Sequence, residues 1–155
     1  MPGYRFSRQE DVPALAGLIN RAFVAESPYV EGERINAEGV RELLGRGKFL
    51  VIEEAGIIVA CVYVEPRAAS AHIGLVSVDP SRQGAGVGSR LMVAAEGYCR
   101  SAGFHEMELR FINHRVELQR FYCKLGFSPT GVNDFPGNIR VKVPFHFVQM
   151  SKTLL

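Results

Sequence analysis

The chain has 155 residues, 47% hydrophobic and 22% charged, with a formal net charge of +2. That length fits a single domain over residues 1–155 with a core of its own, and so small a charge argues against nucleic acid or a membrane surface as partner. No apolar stretch approaches the roughly 20 residues that span a bilayer, and Met1-Pro2-Gly3-Tyr4-Arg5 has no apolar signal region, so the cytoplasm is the expected location.

Taken in order, Tyr4-Arg5-Phe6 reads as a short strand. Ser7 to Glu10 has the form of a capping box ahead of a helical stripe at Val12, Leu15, Leu18, Ile19, Ala22 and Phe23. Residues 24–35 read as a polar and aromatic loop. Asn36 caps a second helix through Leu44, stopped at Gly45 or Gly47. Phe49-Leu50-Val51-Ile52 and Ile57 to Val64 read as strands of a hairpin around Glu54-Ala55-Gly56, with Glu53-Glu54 at the turn.

Pro66 to Ser70 reads as a loop and Ile73 to Val78 as a third apolar strand, ended by Asp79-Pro80. A long helix follows, with Val87, Leu91, Ala94, Ala95, Tyr98 and Ala102 on one face and Gly103 as its stop. Glu106 to Phe111 alternates as a strand. A helix with Leu118, Phe121, Tyr122 and Leu125 on one face ends at Gly126. Residues 127–135 and Phe145 to Met150 are the last strands, around a turn at Pro136-Gly137-Asn138. Strands with helices inserted at intervals make a mixed α/β domain. Cys61, Cys99 and Cys123 read as buried free thiols. Neither they nor His72, His105, His114 and His146 have ligand spacing, so no metal site is expected.

The segment Gln83-Gly84-Ala85-Gly86-Val87-Gly88-Ser89 joins the third strand to the long helix. Glycines there bare successive N–H groups, and the helix adds its unpaired first-turn donors and positive dipole end. This is a phosphate-binding arrangement. A dinucleotide-binding domain is the weaker reading. The third glycine of G-x-G-x-x-G is replaced by Ser89, and Asp79 to Gln83 separates strand from loop, although Glu106 or Glu108 stands at about the distance of a ribose-binding acid. A Walker A loop is excluded because no Gly-Lys-Ser/Thr follows.

Val78-Asp79-Pro80, then Arg82-Gln83-Gly84-x-Gly86-x-Gly88 and a long helix, resembles motif A of the GCN5-related N-acetyltransferase (GNAT) superfamily. Phe121-Tyr122-Cys123-Lys124-Leu125-Gly126-Phe127 resembles a second segment of that family, and the element order agrees over nearly the whole chain. The resemblance implies an acyl-CoA N-acyltransferase fold, with a mostly antiparallel sheet of about six to seven strands flanked by about four helices. It implies acetyl-CoA as the cofactor and acetyl transfer to a primary amine by direct attack on the thioester. A catalytically idle acyl-CoA-binding module of the same fold is the alternative.

On that resemblance, Gln83, Gly84, Ala85, Gly86, Val87, Gly88 and Ser89 hold the pyrophosphate. The backbone of Val76, Ser77 and Val78 lines the pantetheine arm, where a bulge or splay frees donors. Tyr122 matches the family tyrosine that protonates the leaving thiolate, which requires a lowered pKa or action by orientation. His72 is the base candidate, with Glu31, Glu33, Glu65, His146 or a water chain as alternatives. Arg115 stands where many relatives carry asparagine, with Asn113 nearby, and reads as a free surface arginine.

The acceptor is expected between Phe23 to Glu33 and about Asn133 to His146, with Tyr29, Glu31 and His146 as substrate-binding residues. Asp134, Phe135 and Arg140 lie in the same segments. Aromatics and acids there suit a small cationic amine, while Arg140 and Lys142 suit an amino-acid-like one. Dimers are common in the family, and Phe145 to Val148 reads as an apolar edge on which a second copy could pair.

Overall fold

The structure, a computed structural model, describes residues 3–134 and 141–154. The turn expected at Pro136-Gly137-Asn138, together with Phe135, Arg140 and the side chain of Asp134, lies outside the described residues. The strands are β1 (Arg5–Phe6), β2 (Lys48–Glu54), β3 (Ile57–Arg67), β4 (Ser70–Val78), β5 (Glu106–Ile112), β6 (Ser128–Asp134) and β7 (His146–Thr153). The helices are α1 (Val12–Ala22), α2 (Ala37–Leu44), α3 (Val87–Ser101) and α4 (Val116–Lys124). The expected order of elements is found, and the sheet runs β1-β2-β3-β4-β5-β7-β6, with β4–β5 its parallel pair.

β2 and β3 read as continuous apolar runs because helices cover both their faces. On one face Phe49, Val51, Cys61 and Tyr63 pack with Leu15, Leu18 and Ile19 of α1 and Val40 of α2. On the other, Leu50, Val62, Met107, Leu109 and Met150 pack with Leu91, Ala95 and Cys99 of α3 and Tyr122 of α4. Gly47, between α2 and β2, admits no side chain. A Cβ there would collide with the Val64 carbonyl oxygen and lie 2.8 Å from Tyr63 Oη.

Several local expectations are corrected. Ser7 and Glu10 do not form the cap: the Asp11 carboxylate accepts the Arg8 N–H at 2.7 Å and is gripped by Arg5. The salt bridge from β1 to Asp11 shifts the cap by one residue, and Ser7 Oγ is buried without a partner. Glu53 and Glu54 belong to β2, and the turn falls on Ala55 and Gly56, both at positive φ. β3 runs on through Arg67, so the loop before β4 shrinks to Ala68 and Ala69. Cys123 is exposed, because the stripe of α4 turns Tyr122 inward and its neighbour out. β7 is not an edge: Val148 pairs with Phe111 on one side and Val132 on the other, so the surface expected to bind a second copy is already occupied.

Candidate active site

Three features converge around the carboxyl end of β4. The first is the glycine loop. Asp79 turns the chain out of the sheet, its carboxylate accepting from Ser81 N and Ser81 Oγ at 2.9 and 2.7 Å. Gly84 and Gly86 follow at φ +85 and +80, a left-handed conformation that costs other residues about 1–2 kcal/mol. A Cβ at either would meet nothing within 4 Å, so backbone conformation, not crowding, requires glycine. Gly86 is the N-cap of α3 and supplies no side-chain acceptor, which leaves the first-turn N–H groups free of a cap. Gly88 draws α3 close to its neighbours: a methyl there would touch Phe121 and Val78 at 3.4 and 3.7 Å. Arg82 and Arg90 flank the loop and share Glu54, at 2.9 and 3.5 Å.

The second feature is a split in the sheet. β4 pairs with β5 from Ser70↔Glu106 to His72↔Glu108, and there the ladder stops. β5 continues against β7 to Ile112. β4 instead bulges, with Leu75 at φ +51 and a register shift opposite Cys61 and Tyr63. The buried Ser77 hydroxyl steadies the bulge by donating to the Leu75 carbonyl at 2.8 Å. The β5-facing backbone from Gly74 to Val78 is therefore left without a ladder partner, in a V-shaped opening between two strands. The opening leads to the glycine loop, and Gln83 Nε2 reaches back to the Val78 carbonyl at 3.4 Å. The residues present thus fit a phosphate-bearing ligand with an extended arm.

The third feature is Tyr122. It is buried among Phe111, Phe121 and Phe127, with ring centroids 5.9, 5.1 and 5.8 Å away. Its hydroxyl has no hydrogen-bond partner among the described residues. Burial pushes its pKa well above the ordinary 10, with Glu26 adding to the rise and Arg115 opposing it. The pKa is therefore raised, not lowered, and the phenol keeps its proton at neutral pH. With a thiol near 8.5, complete proton transfer would be uphill by more than about 2 kcal/mol. The group is suited to donate a hydrogen bond and to orient, not to act as a strong acid.

On the opposite face of the sheet, His72 stands beside Glu108, with Nδ1 3.8 Å from Oε1, beyond hydrogen-bond range. Burial first, then Arg67 and Arg110, lower its pKa to about 4. A depressed histidine costs stability in acid. Between about 6.5 and 4 the unfolded chain holds a proton that the native chain does not, so stability present above pH 6.5 is lost as the pH falls, by about 2–3 kcal/mol at pH 4.5. Denaturant melts at pH 7.5 and 4.5 check this. His72→Gln is expected to lose about 2–3 kcal/mol less than the parent over that interval, and equal losses would refute the depressed value.

The other predicted residues are placed as follows. Tyr29 stacks on His114 at 5.1 Å, and its carbonyl accepts the Lys142 N–H at 2.7 Å. Together with the Val30↔Val141 bridge, this ties the loop after α1 to the segment before β7. Glu31 and Glu33 are exposed on that loop. Glu65 is held by Tyr63 Oη at 2.9 Å, Arg46 and Arg67, so it is engaged elsewhere. His146 begins β7, its N–H donating to Asn113 Oδ1 at 2.9 Å, which commits Asn113 to closing the sheet. Arg115 is not a free surface arginine. It is mostly buried, pairs with Glu26 at 3.1 Å across 89 residues of sequence, and also reaches Glu117 at 3.4 Å.

Sequence reasoning passed over Glu26, Arg34 and Arg110. Burial raises the Glu26 pKa while Arg115 and Arg34 oppose the rise. Glu26 ends a single 3-10 turn, Phe23–Glu26, too short to carry a periodicity that would mark it. Arg110 did leave a signal: it alternates with Leu109 and Phe111 on β5, on the same face as Glu108.

The family model of the acetyltransferase (GNAT) domain matches residues 45–129. An amino-acid acetyltransferase of Ralstonia nicotianae is 32% identical over 117 residues, covering 70% of this chain. The chain spans 25% of that relative's length. Among solved structures, the ribosomal-protein-alanine N-acetyltransferase of Brucella melitensis superposes with a TM-score of 0.81 at 20% identity, over 97% of this chain and 99% of the other. The yncA protein of Salmonella typhimurium, solved with its cofactor acetyl-CoA, gives 0.77 at 21% identity, over 98% and 93%. The family match covers β2 to the start of β6, including the bulged strand, the glycine loop and Tyr122, and this chain belongs to the GNAT acetyltransferase family.

Proposed function

We propose that the chain transfers an acetyl group from acetyl-CoA to the primary amine of a small, amino-acid-like molecule. The observation that carries this is the split of β4 from β5 directly beside the left-handed glycine loop, with Tyr122 in the core cluster against which Val76 and Val78 of the split strand pack. The amino-acid acetyltransferase among the similar proteins supports the acceptor class. Acetyl-CoA, when bound, supplies an activated thioester as the acyl donor.

The chain's own residues have these roles. Backbone N–H groups from Gly84 to Ser89 take the pyrophosphate, and Arg82 and Arg90 exchange an exposed pairing with Glu54, worth about 0–1 kcal/mol, for phosphate. The unpaired backbone of Val76 and Val78 takes the extended arm in the manner of an added strand. Tyr122 keeps its proton at Oη and donates it as a hydrogen bond to the departing sulfur. His72 is neutral at physiological pH. An imidazole near 4 facing an ammonium near 10.4 would take its proton about 6 units uphill, ~8 kcal/mol, so the amine gives its proton to bulk solvent, about 3 units or ~5 kcal/mol at pH 7, and His72 orients the water through which it leaves.

Incubation with acetyl-CoA and pooled primary amines, followed by assay of free thiol, tests this reading. The expected result is amine-dependent thiol release, together with a CoA-induced stabilisation of about 2.7 kcal/mol at 100-fold the dissociation constant. Stabilisation without release for any amine would leave the idle acyl-CoA-binding module. No stabilisation would remove the cofactor assignment.

A further inference from the structure

Among the described residues eight arginines are held in ion pairs and Arg8, Arg41 and Arg120 are not; nor have Arg34 and Arg110 a carboxylate partner. Each of these last two lies against an aromatic ring instead. The Arg34 guanidinium is 5.4 Å from the Phe23 centroid and that of Arg110 is 4.5 Å from the Phe147 centroid. Such contact holds the planar group and leaves its N–H edges free. The main chain at Arg34 is fixed, since Asn20 Oδ1 accepts the backbone N–H groups of Arg34 and Ile35 at 2.8 and 3.0 Å. Arg110 points from the face of β5 that carries Glu108, away from the Met107–Leu109–Phe111 core.

The two cations are close enough that Arg110 disfavours the charge on Arg34, and Arg110 also disfavours charge on His72. Glu26, the carboxylate that favours Arg34, is engaged by Arg115. Two like charges set on aromatic rings and felt by one another, one of them also felt by the base candidate, are an unfavourable arrangement until an anion arrives. A carboxylate matches the guanidinium fork.

We infer that Arg34 and Arg110 form a clamp for a free carboxylate on the acceptor, which makes the substrate an amino acid and not a simple amine. This rests on the amine-acetylating reading above. The clamp is a specificity device, so its effect belongs in KM for acceptors that carry the acid. The test compares free α-amino acids with their carboxamides under acetyl-CoA, by thiol release, in the parent, Arg34→Gln, Arg110→Gln and Arg110→Lys. Free acids are expected to exceed their amides by about 10- to 100-fold in kcat/KM. Each glutamine variant should bring that ratio toward one through KM, and Arg110→Lys, which keeps charge but loses the fork, should fall between.

A CoA-induced melting shift in each variant shows that it is folded. Amides used as well as acids, or a ratio that survives both glutamine substitutions, would sink the clamp and leave the amine reading standing. Release from other amines but from no amino acid would do the same. No release from any amine would sink both.

Discussion

Replacing Tyr122 by phenylalanine is expected to lower kcat by about 100-fold, the lower end of the range for a positioned proton donor, with CoA affinity held within a few-fold. The ring stays among Phe111, Phe121 and Phe127, so no cavity opens and the fold is retained. What disappears is a hydroxyl that is protonated at neutral pH and has no partner among the described residues. The lower end applies because burial has weakened the phenol as an acid while leaving it a hydrogen-bond donor. Steady-state turnover at saturating acetyl-CoA and amine, beside a CoA titration, gives the answer. An unchanged kcat would remove Tyr122 from the chemistry and return it to the aromatic core.

Gly86→Val should act on the cofactor and not on the core. A Cβ at Gly86 meets no atom within 4 Å, so the cost falls on the backbone, where a β-branched residue at φ +80 bears at least about 1–2 kcal/mol of left-handed strain. The loop relieves it by turning its N–H groups out of line with the first turn of α3, and CoA affinity is expected to fall by about 10-fold or more. Gly97→Ala, within the same helix and with open space around its Cβ, is the matched control and should bind CoA as the parent does. Calorimetric titration of the two variants separates the cases. Parental affinity in Gly86→Val would show that the loop is a turn and not a phosphate cradle.

The elements were legible because their signals are local. The stops at Gly103 and Gly126 both adopt positive φ, and Asn36 caps α2 through Oδ1 to Gly39 N. The apolar runs of β2 and β3 are buried on both faces, as their composition implies. The glycine loop was legible for the same reason: left-handed residues and a helix start are matters of a few neighbouring dihedrals.

What failed was anything decided by a partner far along the chain. The cap moved to Asp11 because β1 places Arg5 beside it. Phe145 to Val148 looked like an edge, but β7 inserts between β5 and β6, which no periodicity in that segment records.

The candidate site divides along the same line. By itself the sequence determined the left-handed glycine loop, the strand that leads into it and the inward tyrosine of α4. The tertiary structure decided the electrostatics. It alone brings Glu26 to Arg115, sets Arg34 and Arg110 on their rings, and buries His72 and Tyr122 enough to move both pKa values against simple acid–base roles. The reason is physical. Backbone conformation is set by adjacent residues, whereas desolvation and charge pairing depend on which atoms fill the surrounding space.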